Sequence, residues 1–259
     1  MWTRKELKEK AKIRFKSNYW KTVLVSLIIM LLAGGSNFGS AVANRMQGNG
    51  NSTAVTNSVE SSMTHTPAVD AAAVIVVGIV AIVIFLICFA IIFLIGAFIL
   101  NPIVVGCSRF FVNNLNKEAE VKEVLSGFDK NYRNGVKIMF FRDLYTILWS
   151  LLLIIPGIIK GYEYRMIPYL LAENPDMSME TAFSLSRQMM QGNKWKAFVL
   201  DLSFILWHLL SVFTCGLLEI FYVGPYVNMT DAALYEVLKQ NYQQSQIQSN
   251  QVEDVIHEF

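Results

Sequence analysis

The sequence predicts an all-α fold, a polytopic transmembrane helical bundle of six spans built as three hairpins with cytoplasmic interfacial amphipathic helices. Three observations predict it. Hydrophobic residues make up 54% of the 259 and charged residues only 16%, whereas soluble domains carry about a quarter charged. The apolar residues are blocked rather than alternating, and "AAAVIVVGIVAIVIFLICFAIIFLIGAFIL", Ala71 to Leu100, runs 30 residues without a charge. About 20 cross the hydrocarbon core, so this block is long enough to tilt. The lysines and arginines are segregated beside the blocks, as the positive-inside rule requires of cytoplasmic segments.

Residues 1–21 hold eight Lys and Arg against Glu6 and Glu9. Thr3 followed by Glu6 fits a capping box, and Leu7, Ala11 and Phe15 recur every four residues. This reads as a basic amphipathic helix whose Arg4, Lys5, Lys8, Lys12, Arg14 and Lys16 face an anionic leaflet, each worth about 1 kcal/mol there. The other reading is a solvated basic helix that only sets orientation. The first apolar block, "TVLVSLIIMLLAGG", follows Trp20. "AVA" at residues 41–43 resembles a signal-peptide cleavage site, but it lies too far beyond Leu32, so an uncleaved first span is expected.

Residues 35–70 are rich in Gly, Ser, Asn and Thr, with Arg45, Glu60 and Asp70 as the charges. They are expected to form an extracytoplasmic loop, and "NST" at 51–53 matches a glycosylation acceptor. Block two returns to Asn101-Pro102 and a charged, helix-prone stretch. Block three, Val136 to Ile155, ends at the breaker pair Pro156-Gly157. "IPGIIKGYEYRMIPYLLAE", residues 155–173, is apolar yet carries Lys160, Glu163, Arg165 and Glu173. It is either a surface helix of a five-span protein or a returning span, Ile158 to Ala172.

An amphipathic helix follows, with Ser178 to cap its start and Gly192 its end. Block five, "AFVLDLSFILWHLLSVF", reaches a tight turn at Thr214 to Gly216, and "LLEIFYVGPYVNMTDAALYEVLK" forms the last span and its extension. Residues 1–239 are thus expected to be one membrane-embedded domain. Residues 240–259 read as a mobile polar tail, with "VEDVIHEF" as a short helix.

An internal repeat favours six spans. "SNYWKTVLVSLI" (17–28) resembles "GNKWKAFVLDLSFI" (192–205), and "RNGVKIMFFRDLY" (133–145) is a degraded copy. Each is followed by a proline (Pro102, Pro168, Pro225), at 34 positions from Asn134 and 32 from Asn193. Repeats of this kind are common in membrane bundles. Energetics oppose the middle hairpin: an ion at mid-bilayer costs about 2.5–3.5 kcal/mol, and an Ile or Leu returns about 0.3–0.6. Such a span must be sheltered by neighbours, with Lys160 reaching outward and Glu163 turned inward.

Ionisable residues in the apolar blocks are the candidates for function. Arg142, Asp143, Glu163, Arg165, Asp201 and His208 form the expected intramembrane polar cluster, Asp201 and His208 being seven apart and so on one helix face. No His-Glu-x-x-His, Gly-x-Ser-x-Gly or phosphate-binding glycine loop is present, and Cys88, Cys107 and Cys215 are scattered. No enzyme, metal, cofactor or nucleic-acid partner is therefore expected. Two function classes lead, a non-enzymatic protein that organises, senses or protects the envelope through lipid and protein contacts, and a small transporter or channel; an intramembrane enzyme stands third. The expected partner is a bilayer with anionic lipids, with room for a membrane-protein partner.

"RKELKEKAKIRFKSNYWK", "IPGIIKGYEYRMIPYLLAENPDMS", "AFSLSRQMMQGNKWKAF" and "GPYVNMTDAALYEVL" together resemble a family of uncharacterised Gram-positive integral membrane proteins, domain of unknown function 975. More distantly, they resemble membrane domains attached to some glycerophosphodiester phosphodiesterases, whose catalytic part has no counterpart here. The resemblance implies a bacterial cytoplasmic-membrane protein with several helical spans; the six-span reading and the placement of the lysines and arginines put both termini on the cytoplasmic side. It carries no catalytic residues to transfer.

Overall fold

A computed structural model describes residues 2–31, 71–129 and 131–257. The described residues are helical throughout, joined by turns, with no strand among them. The polar loop at 35–70, with its sequon and His65, lies outside the described residues. The chain divides into two compact units, Gly34–Gly96 and a larger one of Met1–Ala33 with Ala97–Phe259. In the smaller unit, Ala71–Ile95 is a single helix of 25 residues without a charged side chain.

In the larger unit, α1 (Arg4–Ser17) begins at the expected capping box. The Thr3 hydroxyl accepts the Glu6 N–H at 3.3 Å, and the Glu6 carboxylate accepts the Thr3 N–H at 3.1 Å. Leu7, Ala11 and Phe15 do line one face, but they are buried inside the protein, packed with Tyr235, Ala232 and Ala233 of the C-terminal helix. The stripe read as lipid-facing is therefore occupied. The small side chains of the C-terminal helix let α1 seat closely, and a stripe every four residues cannot distinguish a protein groove from a lipid surface. The helix capped by Ser178 (Met179–Met190) behaves the same way, burying Ala182, Met189 and Met190 and ending before Gly192 at φ +73°.

α2 (Tyr19–Leu31) follows α1 directly. A π-helical turn, Gly96–Leu100, leads into α3 (Asn101–Asn116), which is mostly buried. A 3₁₀ helix (Val121–Phe128) lies against α3 so closely that a Cβ on Gly106 would fall 1.9 Å from the Val124 carbonyl oxygen. Glycine is the side chain that permits this approach.

α4 (Tyr132–Leu152) and α5 (Ile154–Glu163) form a helical hairpin. The reversal falls at Leu153, in extended conformation, rather than at the expected Pro156-Gly157. Pro156 sits in the first turn of α5, where its missing N–H has no intrahelical partner to lose. Gly157 lies on Ser150, whose hydroxyl would be 2.2 Å from an added Cβ. The returning segment thus starts at Ile154, and the expected single helix from Ile158 to Ala172 is not formed. It breaks at Tyr164–Met166 before α6 (Ile167–Glu173). Proline at 168 removes an N–H and crowds the carbonyl four residues back, which ends α5.

The Ser178-capped helix is α7. Block five is likewise two helices, α8 (Lys194–Leu202) and α9 (Ile205–Phe213), divided at Ser203-Phe204. Cys215 (φ 52°) and Gly216 (φ 83°) make the tight turn. A π-helical turn (Glu219–Val223) then precedes α10 (Gly224–His257). The segment read as a tail continues α10 rather than starting a separate short helix.

The three repeat copies are alike in detail. Asn18, Asn134 and Asn193 each donate their side-chain amide to main-chain carbonyls: Ala119, Pro175 with Met177, and Met189 with Gln191. Four residues on, Thr22, Ile138 and Ala197 are each 0% exposed. Pro102, Pro168 and Pro225 each stand in the first turn of a helix preceded by a π turn or a break. Trp20 and Trp195, equivalent in the repeat, are both exposed, at 71% and 73%.

Among the described residues outside the Ala71–Ile95 helix, two helical stretches are long and apolar enough to cross a membrane, Gly96–Asn116 (the π turn with α3) and Lys194–Phe213 (α8 with α9); the most apolar part of the first is 56% buried within the protein and that of the second 22%. Exposed apolar side chains gather at two hairpin tips: Leu151 to Ile155 between α4 and α5, and Val212, Phe213 and Leu217 around the turn after α9.

Candidate functional site

The break between α5 and α6 places Tyr162, Glu163 and Arg165 at a junction of four helices. Arg165 forks onto Asp201 of α8, its two terminal nitrogens 2.7 and 2.9 Å from the carboxylate oxygens. The second of these nitrogens also reaches Asp231 of α10 at 2.7 Å. Tyr162 donates its hydroxyl to Asp201 at 2.7 Å, and its ring lies beside the guanidinium. A bidentate fork fixes orientation as well as charge.

Glu163 is a centre of opposite sign. Lys160 reaches one carboxylate oxygen at 2.6 Å and Lys194 the other at 2.5 Å, with Arg187 at 3.8 Å. The Glu163 carbonyl accepts the buried Ser186 hydroxyl at 2.6 Å. Glu163 is thus tied to α7 and α8, and Arg165 to α8 and α10.

The remaining candidates stand apart. Arg142 pairs with its neighbour Asp143 at 2.6 Å, and Asp143 also accepts the Asn101 amide at 2.8 Å. His208 lies 3.0 Å from Glu219. The expected single cluster is therefore four separate networks. Asp201 and His208, expected on one face, go to different partners because α8 and α9 are divided between them at Ser203-Phe204. Asp231 was missed: it lies in a polar stretch beyond the last apolar run, where a carboxylate raises no alarm. Tyr162 was missed as well, because a phenol in an apolar block reads as packing.

A further polar knot is buried. Asn18 donates to the Asn114 side chain at 2.7 Å, and Asn114 donates to the Thr22 hydroxyl at 3.1 Å. Among the described residues, every buried side-chain nitrogen and oxygen has a hydrogen-bond partner, and no group of three His, Cys, Asp or Glu is placed to hold a metal ion.

Residues 133–242 match the family model described as "Protein of unknown function (DUF975)". This stretch is similar to that family. It contains both ion clusters and three of the four motifs that carried the resemblance, while the basic start at residue 4 lies outside the matched residues. No curated protein and no solved structure matches the chain. The matched stretch supplies every member of the Arg165 and Glu163 networks, from Lys160 through Asp231.

Proposed function

We propose that this chain is a multi-pass protein of the bacterial cytoplasmic membrane, with six spans in three hairpins and both termini cytoplasmic. In this reading it is a non-enzymatic protein that organises, senses or protects the envelope through lipid and protein contacts. The observation that carries the reading is the placement of exposed apolar side chains. Leu151, Leu152, Leu153, Ile154 and Ile155 are 62–84% exposed at a hairpin tip, while Lys160 and Glu163 of the same hairpin are paired away from it. Water around such a tip would cost about 25 cal/mol per Å² of apolar surface, and lipid removes that cost.

The short α5 constrains the middle hairpin. Its 10 residues extend about 15 Å, half of a hydrocarbon core of about 30 Å. The pair α4–α5 therefore crosses with a tilted long leg and a short leg completed by α6, or it dips in and returns. Impermeant thiol labelling of single cysteines decides between them. Gly161→Cys and Gln188→Cys are expected to stay protected from outside reagent in intact cells, and labelling of Gln188→Cys from outside would remove the six-span topology.

A second reading, a small transporter or channel, draws on Arg165, Asp201 and Asp231, a partly exposed charge triad between helices. Both Asp201 oxygens and one Asp231 oxygen accept from arginine or tyrosine, which favours a structural pin over a relay. Proteoliposome flux is the test: no ion or solute movement above empty vesicles is expected. Movement abolished by Asp201→Asn and Glu163→Gln would establish transport instead.

A further inference from the structure

Six of the seven cations of α1 fall into two groups. Lys10 lies 2.6 Å from Glu236 of α10, and Arg14 donates to the Asn116 carbonyl. Arg4, Lys5, Lys8 and Lys12 instead line an open groove of about 390 Å³, together with Glu9, Ser203 and Tyr226. None of these four makes an ion pair among the described residues. They share one helix face, and Arg4–Lys8 and Lys8–Lys12 are like-charge pairs at the spacing that destabilises a helix. Burial, and then the Arg4 charge, push the Lys8 ammonium below its usual range, as expected of a cation lacking a counter-charge. Its Nζ rests 4.0 Å from the Phe204 ring centre, a contact that leaves its charge uncompensated.

The groove's position says what kind of anion fits. Its wall at Ser203 is the break between α8, which begins with Lys194, and α9, whose Ile205, Leu206, Leu209 and Leu210 are exposed. Charged and apolar surface meet there, as headgroup and acyl chain do in a phospholipid.

We propose that this groove holds the phosphate of an anionic phospholipid headgroup, gripped by Arg4, Lys5, Lys8 and Lys12. The proposal rests on the membrane reading above. A guanidinium fork and three ammonium groups match the oxygens of a phosphodiester, and the adjoining exposed leucines and isoleucines accept acyl chains that a free phosphate lacks.

Native mass spectrometry of the detergent-solubilised full chain, titrated with phosphatidylglycerol or phosphatidylcholine, tests it. Phosphatidylglycerol is expected to bind at least tenfold more tightly than phosphatidylcholine. Lys8→Gln with Lys12→Gln is expected to lose about tenfold of that binding, and so is Lys5→Glu with Lys12→Glu, which leaves the Lys8–Phe204 contact in place. Lys16→Gln with Lys117→Gln removes equal charge outside the groove and is expected to change nothing. Equal loss in the outside pair, or no headgroup preference in the parent protein, overturns the site. Displacement of the lipid by millimolar inorganic phosphate overturns the lipid assignment. Alkaline carbonate separates the two levels: a chain released from membranes without detergent overturns the membrane reading and the site together. A chain that stays bound but shows no headgroup preference overturns the site alone.

Discussion

Glu163 and Arg165 are two residues apart, yet they are held by opposite logic. Arg165 is a cation clamped by two carboxylates and a phenol from three other positions, its side chain 18% exposed. Glu163 is an anion gripped by Lys160 and Lys194, whose side chains are 23% and 33% exposed while its own is 9% exposed. The difference lies in what each centre leaves behind when removed. Long lysines can turn back to water; two aspartates drawn together around a guanidinium cannot separate without moving α8 from α10. The first centre is therefore a rigid pin, and the second an adjustable one.

Four substitutions sharpen the contrast, each read by thermal unfolding in detergent. Arg165→Met is expected to be the most damaging, lowering stability by about 3–5 kcal/mol by stranding Asp201 and Asp231 together. Adding Asp231→Asn to it is expected to restore part of that loss; no restoration would show that the guanidinium acts through packing instead. Glu163→Gln is expected to cost about 1–3 kcal/mol, since Lys160 and Lys194 recover hydration. A loss equal to that of Arg165→Met would erase the distinction between rigid and adjustable pins. His208→Ala, which removes a partly exposed partner of Glu219, is expected to cost under about 1 kcal/mol.

Local features of this fold are legible in the chain. Thr3 with Glu6, Ser178 with Thr181, and Gly192 are each decided within a few residues, and each forms the cap that its residue types require. The repeat is legible for the same reason: an asparagine before a helix and a proline at the start of another are local signals. The fates of the amphipathic faces are not. Leu7, Ala11 and Phe15 announce an apolar stripe, but only the docked α10 shows that protein covers it.

The candidate site was half legible. Each of Glu163, Arg165 and Asp201 is conspicuous as an ion among apolar neighbours. Their pairing depends on the breaks at Tyr164–Met166 and Ser203-Phe204, which turn adjacent residues toward different helices. The reversal at Leu153 depends on Gly157 meeting Ser150 across the hairpin, a contact that has no signature in either strand of sequence alone.

The exposed indoles of Trp20 and Trp195 give the repeat an optical consequence. Both stand two residues past the asparagine that opens their copies, so under the proposed membrane topology the repeat is expected to set them at a common depth. Brominated lipids, with the quencher stepped along the acyl chain, would dim the two by matching profiles when each is the sole exposed tryptophan left. Diverging profiles would reveal how far the copies have drifted from one another.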